Sequence, residues 1–115
     1  MRLRHAAVAA FGAFTLLLAV PTSASAAVGE FQYTWVGLDG TSHVGFLLDP
    51  PSGECVTLPE VADAHASEPA HSPRNRTTST ATVFTEPDCE GDWFTLRPLT
   101  GRGSERLKLR SVAFS

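Results

Sequence analysis

Cations, cysteines and long apolar runs are all scarce in this chain, and each scarcity excludes something. There are 9 lysines and arginines against 12 acids in 115 residues, a net charge of −3. An acidic chain without a basic stripe is a poor partner for nucleic acid or for an anionic membrane. After residue 20 no segment approaches the roughly 20 apolar residues that span a bilayer. With only Cys55 and Cys89 present, one intramolecular pairing is possible. No Gly-x-Ser-x-Gly elbow occurs, so a hydrolase nucleophile has no support in the sequence.

What is present begins with a leader. Met1-Arg2-Leu3-Arg4-His5 is a short basic start, Ala6 to Val20 is apolar apart from Thr15, and Ala24-Ser25-Ala26 is a small-x-small step. This order of features is that of a secretory signal peptide, with a helix over the apolar part and cleavage after Ala26. The apolar run is too short for a membrane anchor. Loss of residues 1–26 leaves 27–115, a single domain of 89 residues, and removes Arg2 and Arg4 but no acid, so the net charge moves from −3 to −5. A domain of this size holds a modest core and gains from a covalent tie. Export places both cysteines in an oxidising compartment, where closing a loop of about 35 residues contributes roughly 3–4 kcal/mol in the chain-entropy model. A bond between two chains, or two free thiols, are the alternatives.

Phe31, Tyr33 and Trp35 alternate with Glu30, Gln32 and Thr34, the period of two of a half-buried strand. Asp39-Gly40 is a turn signal, and Val44, Phe46 and Leu48 alternate beyond it, so the pair reads as a hairpin. Asp49 to Gly53 is a second turn cluster, followed by a short strand over Glu54 to Leu58. From Ala62 to Thr82 nothing apolar is larger than alanine, and prolines 69 and 73 interrupt the segment. Such a stretch buries too little to order itself, which predicts a mobile surface loop over 62–82, with a weak helical turn near Glu60 to Ala66. Strand character returns at Thr82 to Phe84 and at Trp93 to Leu96. Leu107 and Leu109 share one parity and Val112 and Phe114 the other, so a bend is expected at Ser111. About six short strands and no long helix predict an all-β antiparallel sandwich.

Phe84-Thr85-Glu86-Pro87-Asp88-Cys89-Glu90-Gly91, with Ser111-Val112-Ala113-Phe114 twenty residues on, resembles the Greek-key motif of the βγ-crystallins, specifically their small secreted bacterial, actinobacterial relatives. The resemblance implies a Greek-key sandwich in which Phe84 packs over a folded hairpin, Gly91 takes a positive φ, and the Ser111 hydroxyl ties back to the hairpin backbone. Cys89 stands where the family usually has a second aromatic. In the first half Tyr33, Leu38 and Gly40 repeat the spacing, but no matching serine follows. Calcium, which many members bind, is not expected: the equivalent window, Arg106 to Ser111, is rich in cations and poor in the carboxylates that Ca²⁺ requires.

His65 and His71, with Asp63 and Glu68, have the chemistry of zinc ligands but no rigid base, so they read as solvated loop residues. Asn75-Arg76-Thr77 fits a glycosylation acceptor, a role not expected in a bacterial protein. Trp35 and Trp93 read as core, and Arg102, Arg106, Lys108 and Arg110 as a solvated strand face. No catalytic, cofactor or metal residues are assigned, and the chain is not expected to be an enzyme. The expected function is that of a secreted structural or binding domain, monomeric, whose partner is an extracellular protein or envelope component, with neither nucleic acid nor membrane involved after cleavage. Inhibition of a secreted protease through the 62–82 loop, and a killer-toxin-like antimicrobial role, are the alternatives that the resemblance brings.

Overall fold

The computed structural model describes residues 26–115; the expected leader helix lies outside them. Nine strands follow in order: β1 (Gly29–Val36), β2 (Ser42–Leu48), β3 (Cys55–Thr57), β4 (Ala70–Thr77), β5 (Ala81–Glu86), β6 (Glu90–Leu96), β7 (Gly101–Arg102), β8 (Lys108–Leu109) and β9 (Ser111–Phe114). Helical structure among the described residues is limited to single 3₁₀ turns at Pro59–Val61 and Pro87–Cys89. One sheet has the order β2-β1-β4-β7, with β8 also on β4, and the other has the order β3-β9-β5-β6. Every pairing is antiparallel. The protein is therefore all-β and two-layered, as its alternation predicts.

β1 forms as the pattern demands, with Phe31 and Tyr33 buried and Trp35 half-buried on the inner face. Across the layers Phe31 meets Phe114 of β9 edge to face, ring centroids 5.5 Å apart. Leu58, Val61, Val83, Leu96, Leu109 and Val112 complete the buried layer. β2 inverts the expected polarity. Its large apolar residues Val44, Phe46 and Leu48 face solvent, while Gly45 is buried. The register explains this: Gly45 lies opposite Tyr33, and a Cβ on it would sit 2.6 Å from the Tyr33 ring. Only a residue without a side chain fits beneath that ring.

The segment expected as a mobile loop is instead the centre of a sheet. β4 pairs with β1 on one side and with β7 and β8 on the other. Composition misleads here because the buried positions are small or polar: Ala70, Pro73, Asn75 and Thr77. Asn75 is completely satisfied. Its amide nitrogen donates to the carbonyls of Ser79 (2.8 Å), Leu96 and Arg97 (both 3.1 Å), and its Oδ1 accepts from the backbone N–H and hydroxyl of Thr77. A buried amide with all its bonds made carries little of the usual desolvation cost. The connection that remains irregular is 62–69.

The parity change near Ser111 marks a change of sheet. β8 belongs to the β4 sheet and β9 to the other, with Arg110 between them. Arg110 is buried, not part of a solvated face as its neighbours Arg102, Arg106 and Lys108 are. Its guanidinium donates to the carbonyls of Val61 (2.9 Å) and Ser67 (2.7 Å) and to the Ser67 hydroxyl (3.2 Å). The sheet crossing is thus pinned to the 61–67 connection.

Replacing Phe114 by alanine should cost about 3–5 kcal/mol, read as a lower urea midpoint; an unchanged midpoint would place the core elsewhere. Tyr33 offers a second test. Its hydroxyl donates to Glu60 Oε1 at 2.7 Å, and burial, then that carboxylate, push its phenol well above the usual range. The folded state therefore holds this proton more tightly than the unfolded chain does. The corresponding stability is complete below about pH 10, the unfolded value, and is lost as pH rises above it. The chain has one tyrosine, so phenolate absorbance reports Tyr33 alone. Its appearance should coincide with unfolding, and ionisation of the intact fold near pH 10 would contradict this burial.

Candidate functional site

The structure brings the five residues singled out in the sequence, Cys55, Phe84, Cys89, Gly91 and Ser111, to the β3-β9-β5-β6 sheet and the turn that joins β5 to β6. Cys55 and Cys89 are bonded, with Cα atoms 5.9 Å apart. The turn that carries Cys89 is unusual backbone: Asp88 and Cys89 both have positive φ, 60° and 57°. Two successive non-glycine residues in the left-handed region are unfavourable by themselves, and neighbouring groups must hold them there. Two hydroxyls do so. The Thr57 Oγ1 of β3 accepts from the Asp88 N–H at 3.0 Å, and the Ser111 Oγ of β9 accepts from the Cys89 N–H at 2.8 Å. Ser111 also donates to the Glu86 carbonyl at 2.6 Å. Thr57 and Ser111 are register partners in adjacent strands, so this one rung of the ladder fastens two consecutive amides of the turn.

Gly91 follows, with φ +83°. A Cβ there would collide with the Thr85 hydroxyl and come within 2.8 Å of Glu86 Cγ, so the space above Gly91 is taken by those two residues. Gly40, its counterpart in the first hairpin, has φ +82° but nothing within 4 Å. The second hairpin is folded onto the sheet, and the first stands free. Phe84, half-buried on β5, lies in the ladder between Ser111 and Trp93. Thr57 was missed in the sequence, because nothing local marks a residue whose partner is 54 positions away.

The other sequence candidates are dispersed. His65 is exposed in the 62–69 connection, and His71 lies on β4 with Nδ1 2.8 Å from the Ser72 hydroxyl. Among the described residues no three His, Cys, Asp or Glu side chains gather as for a metal. The Asn75 amide nitrogen points into the fold. Trp35 is half-buried and stacks on His43 at 4.6 Å, as a core-edge residue would. Trp93 is not core: it is 68 % exposed, because it lies in one rung with Phe84 and Ser111 on the face of the sheet turned away from buried Val83, Val112 and Leu96. Beside it Phe94 is 52 % exposed.

The surface thus carries large apolar side chains in two places: Trp93 and Phe94 on edge strand β6, and the row Val44, Phe46, Leu48 on edge strand β2. Scattered apolar residues on a surface are ordinary, whereas a row along one strand marks a contact surface or an association hazard. In comparisons with known proteins no family model, no curated protein and no solved structure matches the chain. The functional reading accordingly rests on geometry.

Gly91→Ala, which adds a collision with Thr85 and Glu86 to the positive-φ strain, should destabilise by more than Gly40→Ala, which meets only that strain of about 1–2 kcal/mol. Ser111→Ala, which strands an amide and a carbonyl, should cost about 1–3 kcal/mol. Urea titrations of the oxidised protein decide this, and equal effects at the two glycines would refute the distinction.

Proposed function

We propose that the chain is an exported, non-catalytic domain of the βγ-crystallin kind that binds a component outside the cell. The fold part of this reading is supported by the way the two halves repeat one plan. Each begins with a hairpin (β1–β2, β5–β6), sends a short third strand into the opposite sheet (β3, β7), and returns a strand beside the first (β4, β9). That return connection is the Greek-key element. The folded second hairpin, with a serine bonded to its backbone and a positive-φ glycine, agrees with the motif of that family. Export is supported by the leader pattern and is compatible with the disulfide.

The binding role is carried by one observation, the apolar row of Val44, Phe46 and Leu48 left in solvent on an edge strand. Edge strands are ordinarily blunted with charge or proline, and this one is not. The protease-inhibitor alternative looks to the whole of 62–82 as a presented loop; residues 70–77 are instead a strand within a sheet, which leaves 62–69 and 78–80 as the irregular parts of that segment.

The protein should be recovered from culture medium with Ala27 as its first residue. It should also cosediment with envelope fractions of the producing cells, and the double substitution Phe46→Ser with Leu48→Ser should reduce that at least about fivefold, a loss of about 1 kcal/mol. Retention inside the cell, or cosedimentation indifferent to both substitutions, would overturn the reading.

A further inference from the structure

Charge is divided unevenly along the chain. Residues 27–73 contain seven acids and no lysine or arginine, and all seven cations of the domain fall between Arg74 and Arg110. The fold then concentrates three of them. On β4 the buried Asn75 and Thr77 alternate with exposed Arg74 and Arg76, so both arginines leave by the outer face. On β7 the exposed Arg102 lies directly opposite Arg74 in the ladder. Adjacent strands are about 4.8 Å apart, and residues two apart on one strand about 7 Å. The three side chains therefore rise from a triangle small enough for their guanidiniums to converge. Between them is an open cleft of about 390 Å³, walled on its other side by Leu99, Thr100 and Gly101.

Nothing in the folding of the domain accounts for this arrangement. Like charges directly opposite each other in a ladder oppose pairing. Glu30, the register partner of Arg76, takes a hydrogen bond from Gln32 instead. None of the three guanidiniums makes a hydrogen bond among the described residues. Arg110 shows how this fold treats a structural arginine: it buries the group and supplies three acceptors. A second cleft, of about 420 Å³, adjoins the first, shares Thr100, Gly101 and Arg102 with it, and adds Arg97. The two together form a track of four arginines running from β4 around the 97–102 turn.

We propose that this arginine track binds successive phosphate groups of an anionic polymer outside the cell. The proposal rests on the extracellular binding reading above and gives the partner its chemistry. A guanidinium presents a planar fork of donors that matches phosphate oxygens two at a time. Forks converging from three corners suit a tetrahedral group with several free oxygens better than a carboxylate with two. The clefts are open and shallow, so one anion gains few contacts. Useful affinity comes from a chain that engages several arginines together.

The test is titration of the purified, disulfide-bonded protein with inorganic polyphosphate over a range of salt. With three to four phosphates neutralised, log K should fall with log salt with a slope of about −2 to −3. Arg74→Gln with Arg102→Gln should weaken binding at least about tenfold and reduce the slope by about 1–2. Both positions are exposed and their like charges face each other in the ladder, so the urea midpoint should not fall below the wild-type value. The lysine pair, Arg74→Lys with Arg102→Lys, should keep the slope but recover only part of the affinity, because the fork is lost. Absence of binding at low salt, or indifference to the glutamine pair, would overturn the site. Equal affinity for polygalacturonate would overturn the preference for phosphate, and tighter binding to duplex DNA would overturn the flexible polymer. These measurements use purified protein and are independent of export: a chain retained in the cell that still binds polyphosphate would refute the extracellular setting and leave the cleft standing.

Discussion

Neither sheet of this protein is made by one half of the chain. β3 pairs with β9 and β7 with β4, so each half supplies a strand to the other's sheet. The arrangement can close only when both hairpins are in place, and the Phe31–Phe114 contact between the layers cannot form earlier. Contacts of this kind separate widely in sequence, and their loop-closure entropy must be met before burial rewards it. The exchanged strands are also the short ones, three residues in β3 and two in β7. A three-residue strand has little ladder with which to hold its place. The disulfide starts at the first residue of β3 and the Thr57 hydroxyl bond starts at its last, so the weakest exchanged element is fastened at both ends.

The second fastening is Arg110. The chain changes sheets at this residue, and its guanidinium holds the carbonyls of the 61–67 connection, which leads from β3 into β4. Two topologically separate crossings, one in each half, are thereby tied by a single side chain. The protein has no carboxylate at this point and uses neutral acceptors. A buried cation paired in this way is supported by its hydrogen bonds, and its value lies in fixing geometry more than in net attraction.

Much of the fold was legible in alternation alone. Phe31, Tyr33 and Trp35 announce β1, and the opposed parities of Leu109 and Val112 announce the sheet crossing. The hidden parts share a cause: the features that decide them are not local. β4 reads as a loop because its buried face is Ala, Asn and Thr, and the acceptors that satisfy Asn75 come from residues up to 22 positions away. Trp93 reads as core because alternation shows only that one face of a strand is apolar, not whether a neighbour covers it. The direction of β2 was set by the ring of Tyr33, which admits only Gly45 beneath it. Of the hairpin lock, Cys89, Gly91 and Ser111 could be picked out from a family pattern, whereas Thr57 needed the pairing of β3 with β9. The arginine track was invisible for the same reason, since Arg74 and Arg102 become neighbours only across a ladder.

The bonding of Asn75 has a consequence for how the chain can be made. Asn75-Arg76-Thr77 is an acceptor triplet for N-linked sugar, yet its amide nitrogen is spent on three carbonyls and its side chain is sealed between the layers. A glycan on that nitrogen has no room in the closed sandwich. The triplet is therefore open to a transferase only before the sandwich closes, and a chain modified at that moment loses its central strand. In a glycosylating host the competition between sugar transfer and closure would set the yield of native molecules.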